Sequence, residues 1–141
     1  MNVLYVGGSF DLFHAGHVEL LREARLMTAP STTWVAVNSD RFHEAYRGKP
    51  PVMSERDRLA VILACRYVDH AFIMQCHESQ RGTIANIKPS HIVHGNDWMG
   101  DGLLNQLGID QAFLDELGIR MLYIDRTTGL STTGVKARVA G

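Results

Sequence analysis

Two rhythms of hydrophobic positions alternate along the chain. Short, largely apolar runs occupy residues 3–6, 34–37, 71–74, 91–94 and 121–124. Runs of this length, bounded by glycine or polar residues, predict buried strands. Between them the apolar spacing changes to three and four. Val18, Leu20, Leu21, Ala24 and Met27 line one face of a helix over 17–27, which Ala29-Pro30-Ser31 ends. Ser54 is an N-cap for a helix from Glu55 to about Cys65. A short helix covers 83–87 and stops at Pro89. Asp110 caps another that runs to Leu117, with Gly118 at its C-terminal cap, and a last helix begins near Thr132. Residues 38–51 are polar, contain Gly48 and two prolines, and read as a loop. Strands alternating with helices predict an α/β fold: a doubly wound, five-stranded parallel sheet of Rossmann-like type, one domain over 1–141. In such sheets ligands bind beyond the carboxyl ends of the strands, where strand order reverses.

Composition narrows the function classes. A chain of 141 residues with 45% hydrophobic and 21% charged residues is a globular domain, not a disordered one. The two cysteines, Cys65 and Cys76, form no CxxC pair, which argues against a disulfide scaffold or zinc module and fits a reducing compartment. A net charge of -1 leaves no basic bulk for a nucleic-acid backbone. No apolar run approaches the roughly 18 residues of a membrane span. The first residues lack the basic region and cleavage site of a signal peptide. The expectation is a soluble cytoplasmic protein with neither nucleic-acid nor membrane partners.

Candidate chemistry falls in three clusters: after the first strand, after the second, and after the fourth and fifth together. After the first strand comes Gly7-Gly8-Ser9-Phe10-Asp11-Leu12-Phe13-His14-Ala15-Gly16-His17. Gly7 and Gly8 permit a tight turn and close approach of a ligand, and Ser9 offers a hydroxyl to a phosphate. His14 and His17 flank a helix start, whose dipole and N–H groups favour an anion, and Gly16 leaves the approach open. Two imidazoles there suit a polyphosphate. One packed and one surface histidine is the plainer alternative, and a metal pair of the HExxH type would need i, i+4 spacing and a third ligand. After the second strand, Arg47 and Lys49 sit in a segment able to cover a triphosphate, or simply in a solvated charged loop. After the fourth strand, Gly95 opens the strand end, Asp97 can accept from an exocyclic amino group such as cytosine N4, and Trp98 offers a stacking surface or a core side chain. After the fifth, Arg126, Thr127, Ser131 and Thr132 gather at the start of the last helix, a second anion site or a plain cap.

Gly8-Ser9-Phe10-Asp11 with His14-Ala15-Gly16-His17 resembles the HxGH signature of the nucleotidylyltransferase superfamily, and in particular its cytidylyltransferase branch, G-T-F-D-x-x-H-x-G-H. Ser9 replaces the usual threonine. Arg66-Tyr67-Val68-Asp69 and Arg126-Thr127-Thr128-Gly129-Leu130-Ser131-Thr132-Thr133 are similar to further signatures of that branch, and Gly95-Asn96-Asp97-Trp98 resembles its G-D-D-W. The resemblance implies transfer of a cytidylyl group from CTP to a phosphorylated small alcohol of the glycerol 3-phosphate kind, with release of pyrophosphate. It places His14 and His17 on the α- and β-phosphates and Arg126 on the departing phosphates. Arg47, where the family has lysine, or Lys49 would close over the transferring group. Gly8, Ser9, Phe10, Asp11, Gly16, Arg66, Gly95, Asp97, Trp98, Thr127, Ser131 and Thr132 would line the nucleotide site, Asp11 orienting a histidine or lying near the metal. It implies Mg²⁺ carried mainly by the nucleotide phosphates, with no protein metal ligand, and a homodimer with the Arg66 segment near its interface. Residues 99–118 match no signature and are expected to shape the acceptor pocket or form a helical insertion.

Two alternatives stand beside this one. Residues 14–18 and Val37-Asn38-Ser39-Asp40 also resemble heptose-phosphate adenylyltransferases, and FAD synthetases share the layout, so the acceptor could be a sugar phosphate or FMN-like. A non-catalytic CTP-binding sensor would fit the arginine at position 47.

Overall fold

The computed structural model describes residues 1–95 and 101–124. The elements run β1 (Asn2–Gly8), α1 (Ala15–Thr28), β2 (Ser31–Asn38), α2 (Asp40–Arg47), α3 (Glu55–Leu63), β3 (His70–Met74), a 3₁₀ turn (His77–Ser79), α4 (Gln80–Ile87), β4 (His91–Gly95), α5 (Asp101–Gln106), α6 (Gln111–Leu117) and β5 (Arg120–Ile124). The strands form one parallel sheet in the order β3-β2-β1-β4-β5. β1 lies at the centre. It pairs with β2 from Asn2 against Ser31 to Gly8 against Val37, and with β4 from Leu4 against His91. The chain winds outward from β1 through β2 and β3, then crosses back to β4. The reversal point is therefore the β1–β4 boundary.

Alternate strand residues feed two core layers, which is why the strands read as continuous apolar runs. Leu4, Val6, Val35, Val37 and Val93 pack with Leu20, Leu21 and Ala24 of α1 and Ile62 of α3. Tyr5, Ala36 and Ile92 face the other way, toward Phe42 of α2, Ile84 of α4, and Leu104, Phe113 and Leu114. Helices cover both faces, as the doubly wound reading requires.

Several boundaries differ from the sequence expectation. The polar stretch 38–51 is not all loop, because α2 occupies Asp40–Arg47. Its ends are built in: the Ser39 hydroxyl accepts from Phe42 N–H, Asp40 lies in the first turn, and Gly48 closes the helix in the left-handed region at φ 78°. α1 begins at Ala15 rather than His17, with His14 itself as N-cap. α4 begins at Gln80, before Thr83, and α3 stops at Leu63. Within 99–118 the chain forms α5 and α6. The expected helix near Thr132 lies outside the described residues. Among the described residues no helix is long and apolar enough to cross a membrane.

The amino edge of the sheet is fastened by Asp69. Its carboxylate accepts from Thr33 N–H at 2.8 Å and from Arg25 at 2.8 Å, and Arg25 also donates to Tyr67 O at 3.3 Å. This ties the end of α1, the start of β2 and the start of β3 together.

Candidate active site

At the carboxyl edge the chain leaves β1 through a turn with unusual backbone geometry. Phe10 and Leu12 have φ of 53° and 52°. Left-handed conformations in bulky residues each cost roughly 1–3 kcal/mol and persist only where surroundings impose them. The restraints are visible. Asp11, 2% exposed, accepts from Val52 N–H at 2.8 Å and Met53 N–H at 2.9 Å. Arg58, 0% exposed, donates to Ser9 O at 2.8 Å, Asn38 O at 2.7 Å, Met53 O at 3.0 Å and the Asp40 carboxylate at 2.8 Å. The turn after β1 is thus fastened to the segment that joins α2 to α3.

This turn presents two histidines in a reciprocal cap. Gly16 N–H donates to His14 Nδ1 at 3.0 Å, and His14 N–H donates to His17 Nδ1 at 3.1 Å. A ring nitrogen that accepts holds a lone pair, so each neutral imidazole carries its proton on Nε2. The rings stack 3.9 Å apart between centroids. Phe13 also stacks on His17, at 5.3 Å, and Phe10 meets it edge-on at 5.5 Å. Both rings are therefore held before any ligand arrives, their tautomer set by the backbone. The Gly16 N–H is occupied by the cap, so α1 contributes chiefly its dipole and the donors are the two Nε2–H groups.

Of the residues singled out from sequence, Gly8, Ser9, Phe10, Asp11, His14, Gly16 and His17 come together here. Their roles divide. Phe10, 7% exposed, is packing for His17 rather than ligand surface, and Asp11 holds the backbone of 52–53. An added Cβ at Gly8 would lie 3.3 Å from the Phe10 ring, so the glycine keeps room for that side chain. Gly95 ends β4 across the reversal point. Arg47 closes α2 on the same face as His43, four residues earlier, with its guanidinium carbon 5.3 Å from the Tyr46 ring centroid. Lys49 is exposed just beyond Gly48. Arg66 is not brought to this edge: it is exposed in the turn before β3, at the amino end of the sheet. Asp97, Trp98, Arg126, Thr127, Ser131 and Thr132 lie outside the described residues.

Sequence reasoning left two members of this edge without a role: Arg58, although the resemblance extends over it, and His43. Arg58 is the buried knot described above. His43, 5% exposed on α2, places Nδ1 2.6 Å from the Ser9 hydroxyl. Reading 38–51 as loop hid it. The Ser39 cap and Gly48 would have revealed a helix, with His43 one turn before Arg47. Arg41, Phe42, Ala45 and Tyr46 of α2 line a separate groove of about 590 Å³ with Gln75 and Cys76, and His43 is not part of that lining.

Among the described residues no group of three His, Cys, Asp or Glu side chains could hold a metal ion. The donor set at this edge, two Nε2–H groups and a hydroxyl on a helix dipole, suits phosphate oxygens rather than a bare cation.

Comparison with known proteins agrees with this chemistry. Residues 5–138 match a family described as cytidylyltransferase-like. The chain is 34% identical to an ethanolamine-phosphate cytidylyltransferase of Dictyostelium discoideum over 97% of its own length and 37% of that protein. It is 43% identical to the Arabidopsis thaliana protein of the same name over 66% of this chain and 22% of that one. The chain thus spans well under half of these relatives. Among solved structures, a lipopolysaccharide core biosynthesis protein from Thermoplasma volcanium superposes with a TM-score of 0.69 at 27% identity, covering 90% of this chain and 97% of that one.

Proposed function

The chain belongs to the cytidylyltransferase-like family, and on that premise we propose that it transfers a cytidylyl group from CTP to a phosphorylated small alcohol. The observation that carries this is the preset pair of Nε2–H donors on His14 and His17 at the start of α1. In this reading a phosphate oxygen of the acceptor attacks the α-phosphorus in line. The bond to the bridging oxygen breaks and pyrophosphate leaves with that electron pair. The acceptor oxygen is already anionic, so no protein nucleophile is needed, and catalysis is positioning plus stabilisation of charge on the phosphoryl oxygens. His14 and His17 donate to the α- and β-phosphates. Arg47 or Lys49 closes over the transferring group, while Arg126, Thr127, Ser131 and Thr132 receive the outer phosphates. Asp97 and Trp98 take the base. Mg²⁺, if carried on the nucleotide phosphates, would supply neutralisation of their charge, with no side chain of this chain assigned to hold it.

The names of the relatives make phosphoethanolamine the first acceptor to test, with glycerol 3-phosphate and phosphocholine beside it. The test is pyrophosphate release from CTP, ATP, GTP and UTP, with Mg²⁺, across these acceptors. Release with CTP and one acceptor is expected. Release with ATP alone would move the chain to adenylyl transfer, the second reading, which Val37-Asn38-Ser39-Asp40 favours. CTP binding without release across the panel would mean either an acceptor outside the panel or a non-catalytic sensor.

The histidine assignment has its own variant. In His17→Asn the shorter side chain can still accept from His14 N–H but has no distal donor. Turnover should fall about 10²–10³-fold while thermal unfolding stays close to that of the parent. Unchanged turnover would remove His17 from the mechanism.

A further inference from the structure

We propose that His43 is a positioning residue that turns the Ser9 hydroxyl outward, making it a third phosphate donor beside His14 and His17. The inference deepens the reading of this edge as a triphosphate site and rests on it. Ser9 Oγ and His43 Nδ1 lie 2.6 Å apart. A serine hydroxyl has one proton and two lone pairs, so the contact exists in two senses. If Nδ1 holds a lone pair, the Ser9 proton points at the ring and only lone pairs face an incoming anion. If Nδ1 carries a proton, it donates to Ser9, and the Ser9 O–H is released to donate to phosphate. An anion at this edge selects the second arrangement.

The separation of the two groups does not depend on their own contact. Arg58 joins the Ser9 carbonyl to Asn38 O and to Asp40, the first residue of α2. Ser39 caps that helix and donates to Gln75 O at 2.9 Å. Position 43 is carried to position 9 by these bonds, so the ring can be replaced without releasing the turn. The chemistry also runs opposite to that of the α1 pair. His14 and His17 accept backbone N–H groups at Nδ1 and show a proton at Nε2, whereas His43 directs its Nδ1–H at a hydroxyl.

The test is a double-mutant cycle on CTP turnover in the full chain, with Ser9→Ala, His43→Leu, the double variant and His43→Asn, read as kcat and KM separately. Ser9→Ala and His43→Leu should each lower kcat/KM about 10- to 100-fold, the effect of one hydrogen bond to a charged group. The double variant should be no worse than the poorer single. His43→Asn, whose amide N–H lies near the place of Nδ1–H, should recover most of the loss. In the unaltered chain, ¹⁵N spectra of the imidazoles with CTP bound should show the His43 Nδ1 protonated. Losses that multiply in the double variant, or an unprotonated Nδ1 in the CTP complex, would overturn the proposal alone. An unaltered chain that neither binds nor turns over CTP would overturn the triphosphate reading, and this proposal with it.

Discussion

The histidines of the α1 cap show how one residue type takes two jobs at once. Each Nδ1 satisfies a backbone donor at the helix start, and the same bond leaves the opposite nitrogen protonated and aimed by ring stacking. Tyr5 is the contrasting case. It is 0% exposed in the middle of β1, and its hydroxyl has no hydrogen-bond partner among the described residues. Burial pushes its phenol well above the ordinary tyrosine value. A buried hydroxyl without a partner costs roughly 1–3 kcal/mol, so Tyr5→Phe should equal or exceed the parent in urea denaturation at neutral pH. The sign with pH follows from linkage. The folded chain keeps the phenol neutral while the unfolded chain releases the proton above a pH of about 10, so this residue makes stability fall as pH rises past that point. The variant should lose that part of the alkaline decline, and an identical decline in both proteins would contradict it. The sequence made His14 and His17 legible because their order with glycine and the preceding acid is a long, specific signature. It could not separate the roles of Phe10 and Asp11, since packing beneath a ligand and touching it leave the same residues behind. The orphan hydroxyl of Tyr5 was equally invisible, because partners are a property of three dimensions.

Among the elements, strands were the most legible. All five expected runs lie within strands, because burial on both faces leaves an unbroken apolar signature. α2 was the least legible. It is short and mostly exposed, so its identity rests on Ser39 and Gly48 at its ends rather than on an apolar stripe. Its placement rests on α3, whose Arg58 reaches the β1 turn, the end of β2 and the start of α2. An arginine four residues into a helix reads as a surface charge, and only the fold shows it fully buried. The Asp40 partner is 43% exposed, so deleting the guanidinium strands the carbonyls it caps, chiefly the buried Asn38 O, rather than a buried charge, and a stranded buried acceptor costs about 1–3 kcal/mol. Arg58→Leu should therefore lose that much in chemical denaturation. Arg58→Lys should recover little, because one ammonium cannot span acceptors spread around a planar fork. A loss below about 1 kcal/mol, the ordinary value for a surface ion pair, would show that the knot is not a structural requirement.

Taken as a whole, the molecule separates its two sheet edges. The carboxyl edge holds His14, His17 and His43, and the amino edge holds the Asp69 clamp and Arg66. Leu26, Met27 and Leu63 are 62%, 61% and 53% exposed near the ends of α1 and α3, the two helices of one core layer. We propose that this amino-edge surface closes a homodimer. Sedimentation should give twice the 15.7 kDa chain mass, and Leu63→Glu should return it to one. A monomer at every concentration would reject the dimer. The central place of β1 has a consequence in time as well as in space. Its bonds to β2 join near neighbours in the chain, but its other flank waits for β4, and the Val3 N–H to Ser90 hydroxyl bond closes a separation of 87 positions. Loop-closure entropy makes such distant pairings late events in folding. During synthesis the first three strands can assemble while the β4 flank of β1 is still bare, and both glycines at its tip belong to the half that forms first. The histidine turn would then be set before the reversal point that completes the site exists.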